Sequence, residues 1–202
     1  MAIKDSNTEK QIVEAARHIF FKEGRFKATT QEIADAAGVT RTLLNYYFRS
    51  RDVLFEKILQ DARENMDAKL KTVMEGSSSF REKIEYFIDV FIEQSLNLPY
   101  IDAYMISRMN DGILNPDEVV DKLATRDMHT KVKRFLKEIE TEIEKGTIPH
   151  MTPLDFMVNL SSLLAYPGVA QPMFKKIFQM SDKQYRQFLA QRKAAILKAL
   201  FK

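Results

Sequence analysis

The chain has 202 residues, 45% of them hydrophobic, with 31 Lys and Arg against 28 Asp and Glu and a formal charge of +3. That length buries a sizeable core in one large or two modest domains, and the near-neutral balance excludes a protein that holds nucleic acid by bulk charge alone. Cysteine is absent, which excludes a disulfide framework, a thiolate nucleophile and a Cys-based zinc site. The N-terminus MAIKDSNTEK carries no apolar signal core and no run approaches the ~18 apolar residues of a membrane span, so a cytoplasmic protein without a membrane partner is expected.

The first predicted helix places Ile12, Ala15, Ala16, Ile19 and Phe20 at its apolar positions, and Gly24 follows it. Thr29 with Glu32 three residues on is a capping box, in which each side chain satisfies an orphan backbone N–H, so a second helix starts there. Ile33, Ala34 and Ala37 form its apolar face, small enough at the alanines for another helix to approach closely. Gly38 ends that helix in the left-handed conformation, and Val39 plugs the corner. Thr40 caps a third helix of about two turns, from Arg41 to Phe48. Leu44 and Phe48 lie four apart and continue the face begun by Val39. They are the expected buried anchors, which leaves Arg41, Thr42, Asn45 and Tyr46 outside. Two short helices joined by a three- or four-residue turn containing Gly make a helix-turn-helix, whose second helix lies in the major groove of DNA. Arg grips guanine, Asn pairs with adenine, Tyr hydroxyls reach phosphates, and the outward Leu43 suits a thymine methyl. The alternative is an ordinary helical hairpin with a solvated polar face.

Residues 1–51 carry nine basic and six acidic side chains, and Lys22, Arg25, Lys27, Arg41, Arg49 and Arg51 fall late, near the proposed reading surface. Asp52 to Val73 reads as a long connector helix with Leu54, Ile58, Ala62, Met66, Leu70 and Val73 on one stripe, ending at Gly76. Ser79 with Glu82 opens a helix bearing Ile84, Phe87, Ile88, Phe91, Ile92 and Leu96 up to Pro99. A short helix with Tyr104, Met105 and Met109 follows, stopped at Asn110-Asp111-Gly112. Asn115-Pro116-Asp117-Glu118 then combines a cap, a first-turn proline and two acids suited to the helix dipole. That helix runs to about Lys145 with Val119, Val120, Leu123, Val132, Phe135, Leu136, Ile139 and Ile143 inward, and Gly146 stops it. Thr152-Pro153-Leu154-Asp155 starts another, with Phe156, Met157, Leu160, Leu163 and Leu164, expected to break at Pro167-Gly168. A short helix with Met173, Phe174, Ile177 and Phe178 comes next. Ser181 with Gln184 opens a single last helix with Tyr185, Phe188, Leu189, Ile196 and Leu200 on one face. The chain is all-α, with about ten helices and no convincing strand.

Three histidines, His18, His129 and His150, have no partner at metal-ligand spacing, and there is no phosphate-binding loop, GxGxxG or GxSxG. No cofactor, no metal and no catalytic machinery are expected. An all-α enzyme would need an acid, base or nucleophile cluster that the sequence does not contain.

Thr8 to Leu59 as a whole resembles the N-terminal domain of the TetR family of transcriptional regulators. The carriers are the first helix and Gly24, then Thr29-Thr30, Ile33-Ala34, Ala37-Gly38-Val39-Thr40, Leu44, Phe48, Arg51-Asp52 and Leu54. The resemblance implies an N-terminal helix-turn-helix domain over 1–51 and a helical ligand-binding and dimerisation domain over 52–202. It implies a homodimeric regulator, a ligand-responsive repressor bound to a double-stranded operator through Thr30, Gln31, Thr40, Arg41, Thr42, Leu43, Asn45, Tyr46, Tyr47 and Arg51. The chain departs from the family at Thr42, often Gly, at Asn45, usually Tyr, and at Tyr47, often His. Tyr46 and Tyr47 are left as candidates for the customary Tyr contact, and Arg51 keeps the charge of the usual Lys. The dimer interface implied is two late helices, about 153–166 and 182–201. An apolar or amphipathic small molecule would be held by Phe87, Phe91, Tyr104, Met105, Met109, Phe135 and Met157, soft and aromatic side chains suited to an adaptable site. The alternative function is a helical dimeric module that binds a small molecule or a protein and has no DNA role.

Overall fold

The computed structural model describes residues 6–112 and 128–202, and every regular element in them is helical. α1 (Ser6–Arg17) continues as a π-helical turn (His18–Lys22), and α2 (Thr30–Ala36) and α3 (Arg41–Tyr47) form the hairpin. α4 (Arg51–Glu75) is the long connector, followed by α5 (Phe80–Asn97), α6 (Ile101–Asn110), α7 (Met128–Glu144) and α8 (Pro153–Val169). α9 (Gln171–Ile177), α10 (Asp182–Ala190) and α11 (Arg192–Leu200) complete the chain. The start signal at Asn115-Pro116, together with Val119, Val120 and Leu123, lies outside the described residues.

The capping chemistry expected at Thr29/Glu32, Ser79/Glu82, Thr152/Asp155 and Ser181/Gln184 is present at all four helix starts, each with both reciprocal bonds formed. Side chains divide between two cores. The first joins Ile12, Ala16, Phe20 and Phe21 of α1 and its π turn to Ile33, Ala34, Leu44 and Phe48 of the hairpin. It continues through Leu54, Phe55 and Ile58 of α4 to Leu98, Ile101 and Tyr104. Packing is therefore continuous from residues before 51 into α4 and α6. The rings of Phe20 and Phe55 stack at 3.7 Å between centroids, and those of Phe55 and Tyr104 at 4.3 Å, a three-ring column reaching from α1 to α6. The π turn frees the Phe21 carbonyl to accept the Tyr100 N–H at 3.2 Å, a second tie between the same regions. The second core gathers Phe80, Ile84 and Ile88 of α5, Ile139 of α7, Phe156, Leu160 and Leu164 of α8, and Ile196, Leu200 and Phe201 at the C-terminal end. Val132, expected inward on α7, is exposed, and Phe188 on α10 is at the exposed boundary.

Two boundaries differ from the sequence reading. α8 does not break at Pro167-Gly168 but runs to Val169. Proline at 167 removes the N–H that would bond the Leu163 carbonyl. That carbonyl instead accepts from Arg192 Nη2 at 3.2 Å, while the buried Tyr185 hydroxyl donates to the Pro167 carbonyl at 2.6 Å. Gly168 then serves close approach rather than a turn: a Cβ there would lie 2.9 Å from Asp102 Oδ2 of α6. The single last helix is instead two, because Gln191 sits at ψ −2 with its N–H shared between the Gln187 and Phe188 carbonyls, both at 3.2 Å. The bend sets the Arg192 guanidinium over the Phe188 ring while its other end reaches α8.

Replacing Phe55 with Ala removes the middle ring of the column and should cost about 3–5 kcal/mol in urea unfolding. Val53→Ala, two residues away and exposed, should change it by less than about 0.5 kcal/mol. Burial against α8 pushes the Asp102 carboxyl up to about 6 from an ordinary 3.8. An acid whose folded value is raised penalises folding above that value and ceases to do so as pH falls below the unfolded one. Asp102→Asn should therefore stabilise the chain by about 1–3 kcal/mol at pH 8, and the gain should vanish by about pH 3.5 when unfolding is followed across the range.

Candidate nucleic-acid interface

The hairpin is held by bonds that its own residues supply. Thr29 Oγ1 accepts the Glu32 N–H at 3.2 Å, and Glu32 Oε2 accepts the Thr29 N–H at 2.7 Å. At the other end of α2 the Val39 N–H bonds the Ala34 carbonyl at 3.0 Å and the Gly38 N–H bonds the Asp35 carbonyl at 3.1 Å. This pair is a Schellman closure, and Gly38 supplies the left-handed residue it requires, at φ +66. Val39 packs against the first core, and Thr40 Oγ1 accepts the Leu43 N–H at 3.2 Å to open α3. Leu44 is fully buried and Phe48, the C-cap in extended conformation, nearly so.

With Leu44 inward, Arg41, Thr42, Leu43, Asn45 and Tyr46 of α3 are exposed together, and so are Thr40 and Gln31. Gln31 donates to Asp35 Oδ1 at 2.7 Å along the outer side of α2. Thr30, at the start of α2, is half-buried. The two tyrosines separate: Tyr46 is half exposed, whereas Tyr47 is partly covered and packs against the first core, with its ring edge-on to Tyr46. Arg51 is half-buried at the first turn of α4, its guanidinium 5.9 Å from the centre of the Phe55 ring. Nine of the ten residues thus come from three helix starts and the outer side of α3, and Tyr47 lies against the core instead. Sequence reasoning missed Ser50, whose hydroxyl accepts the Val53 N–H at 3.2 Å and opens α4. The signal was readable, a serine directly before Arg51-Asp52.

Not every basic residue near the hairpin faces outward unpaired. Arg25 is paired with Glu32 and with Glu23, and Lys22 lines a cavity between α1, α4 and α5. The Glu32 carboxyl is held below the usual carboxylate range by the Thr29 N–H and hydroxyl, with Arg25 adding to the effect.

The seven residues expected around a ligand are not brought together. Tyr104 is buried in the first core, against Phe55, and Met105 is half-buried while Met109 is exposed on α6. Phe87, Phe91, Phe135 and Met157 pack around the second core instead. Cavities of about 460 and 640 Å³ lie where the hairpin region meets the rest, and of the seven only Tyr104 lines either. No group of acidic or histidine side chains able to hold a metal ion, and no helix long and apolar enough to cross a membrane, occurs among the described residues.

Residues 12–58 match the family described as bacterial regulatory proteins, tetR family. The HTH-type transcriptional regulator TtgR of Pseudomonas putida is 37% identical over 60 residues, 30% of this chain and 29% of that protein, so the match spans under a third of the relative's length. The HTH-type transcriptional activator FasR of Mycolicibacterium smegmatis is 30% identical over 120 residues, 57% of this chain and 52% of that one. Among solved structures, the ketosteroid transcriptional regulator KstR2 of Mycobacterium tuberculosis superposes with a TM-score of 0.67 at 14% identity, covering 98% of this chain and 97% of that chain, a likeness of fold.

Since the folded Glu32 carboxyl titrates below its unfolded value of 4.5, its contribution is present above that value and is lost as pH falls. Thr29→Val removes the hydroxyl that donates to Glu32 Oε2 at 2.9 Å, so the urea midpoint of this variant should fall less than that of the parent between pH 7 and pH 4.

Proposed function

We propose that this chain, whose N-terminal segment belongs to the tetR family of bacterial regulatory proteins, is a homodimeric, sequence-specific transcriptional regulator that acts in the cytoplasm as a repressor and is released from its operator by a small molecule. The observation that carries this reading is the outward polar side of α3 above the buried Leu44. Arg41 and Asn45 are assigned to base edges and Leu43 to a thymine methyl. Thr30, Gln31, Thr40, Thr42, Tyr46 and Arg51 are assigned to the backbone, where phosphate contacts set register and base contacts set sequence. Exposure favours Tyr46 over Tyr47 for the tyrosine contact, with Tyr47 supporting α3 from beneath.

Two hairpins must meet major grooves about 34 Å apart on one side of the duplex, which a twofold dimer supplies. Leu154 and Val158 of α8 are 68% and 55% exposed, four apart on one side of the helix, and Tyr166 near its end is exposed as well. We assign the interface to 153–166 with 182–201. The division into a reading domain, 1–51, and a helical ligand-binding and dimerisation domain, 52–202, is retained as a functional one. For the apolar ligand, Phe87, Phe91, Phe135 and Met157 around the second core are the retained candidates, because Tyr104 is committed to the first core and Met109 is exposed.

A genomic fragment selected by the protein should be bound about 10- to 100-fold less tightly by Arg41→Ala and by Tyr46→Ala in fluorescence anisotropy, with helical content unchanged by circular dichroism. Arg51→Ala should reduce the slope of log affinity against log salt by about 1. Unchanged affinity in both α3 variants would overturn the reading in favour of a helical module without a DNA role. In sedimentation, the parent chain should be a dimer, and the double change Leu154→Glu, Val158→Glu should give a folded monomer.

A further inference from the structure

We propose that the cavity of about 640 Å³ between residues 24–28, α4 and α6 is a binding site for an aromatic carboxylate of one or two fused rings. Its size is within the range of ligand sites, and it lies where the hairpin region meets the rest of the chain, a junction of the kind where such sites concentrate.

The charges of the lining specify the sign of the occupant. Arg25, Lys27, Arg51 and Arg108 line it together with Glu32 and Asp111, an excess of two positive charges in the wall. Arg25 is taken up by Glu32 and Glu23, and Arg108 by Asp52 at 3.3 Å. Arg51 and the exposed Lys27 have no carboxylate partner among the described residues, and the acid that is left, Asp111, accepts from Ser107 at 3.4 Å. Two uncommitted cations against one acid call for one negative charge. Arg51 is the half-buried cation of the two, and a guanidinium grips a carboxylate through paired N–H bonds.

Tyr104 and the rings around it specify the rest of the molecule. Its ring belongs to the first core and the residue is only 3% exposed, yet it lines this cavity and its hydroxyl bonds to no group among the described residues. A tyrosine buried to that degree ordinarily finds a partner for its hydroxyl. Burial pushes the phenol up to about 12, with the Arg108 and Arg51 charges opposing the rise and Asp52 adding to it, so it stays a hydrogen-bond donor beside the guanidinium that lacks a carboxylate. The Arg51 guanidinium lies 5.9 Å from the centre of the Phe55 ring, on which Tyr104 stacks at 4.3 Å, so cation and phenol flank one ring. Half-buried Phe26 lines the same cavity, tilted against Tyr104 at 5.2 Å, and offers the apolar surface that a flat ring would cover. A carboxylate toward Arg51 and the Tyr104 hydroxyl, with its ring toward Phe26, uses each of these groups. Arg51 is also assigned to the DNA backbone, so occupant and operator would share one guanidinium. That consequence rests on the function proposed above, whereas binding does not.

Calorimetry on the full chain with 2-naphthoate, 2-naphthalenemethanol and acetate separates charge from ring. 2-Naphthoate should bind saturably, with the neutral alcohol and acetate each at least about tenfold weaker. Arg51→Gln and Tyr104→Phe should each weaken 2-naphthoate by about fivefold or more, while Lys22→Gln, in the other cavity, should leave it unchanged. Tyr104→Phe keeps the ring column and removes only the hydroxyl, so its melting temperature without ligand should match that of the parent. Absence of saturable heat with 2-naphthoate at millimolar concentration would overturn the site, as would unchanged affinity in Arg51→Gln or Tyr104→Phe, or the alcohol binding as tightly as the acid. An equal loss in Lys22→Gln would overturn it too, by showing attraction to positive charge in general. The readout needs no DNA, so failure to bind an operator and failure of this site remain distinguishable.

Discussion

A helix of seven residues has no stability of its own in water, so α3 depends on what it buries. Leu44 is that contact. Complete burial of one leucine is worth roughly 2 kcal/mol, and Phe48 and the half-buried Tyr47 add to it. With the helix turned so that Leu44 points down, Arg41, Thr42, Asn45 and Tyr46 have no direction available except outward. The Schellman closure at Gly38 and the Thr40 cap fix the entry angle, so few residues decide which side chains the hairpin presents. A single rotational setting of α3 therefore links hydrophobic burial to the set of side chains that α3 exposes.

The hairpin is not a separate bead on a linker. The column of Phe20, Phe55 and Tyr104 runs from α1 through α4 to α6, and Arg108 of α6 meets Asp52 at the start of α4 at 3.3 Å. The Phe21 carbonyl and the Tyr100 N–H add a backbone tie between the π turn and the chain entering α6. A displacement of α6 would therefore press on the base of the hairpin through packed rings, which deform little. At its other end α6 abuts α8 where Gly168 leaves room for the Asp102 carboxyl. The same short helix thus touches the core beneath the hairpin and one of the helices assigned above to the dimer interface. A ligand that favours one placement of α6 would change the separation of two heads only through its differential affinity for the two placements.

Much of this was legible in the residues because its causes are local. Capping boxes at Thr29, Ser79, Thr152 and Ser181, the stop at Gly38 and the period of α5 each depend on side chains within a few positions of the effect. What escaped depends on distant partners. Pro167 reads as a breaker until Arg192 and Tyr185, eighteen or more residues on, satisfy the carbonyls around it. The bend at Gln191 belongs to the same arrangement. Phe55, adjacent to Leu54, fell outside a one-in-four stripe, although a broad buried side accommodates both. Side-chain chemistry alone puts Tyr104 with Phe87 and Phe135, because it does not say which of two cores an aromatic ring joins. The exposed side of α3 was legible for the opposite reason: once Leu44 is placed, helical geometry turns Arg41, Thr42, Asn45 and Tyr46 outward.

The most direct test is a hydroxyl-radical footprint of the intact protein on a genomic fragment that it selects. Two related half-sites protected on one side of the duplex, about 10 base pairs or a small multiple of that apart between centres, are the expected pattern. Protection spread evenly along the fragment, or none at any concentration that keeps the protein dimeric, would contradict the assignment of α3 to the major groove.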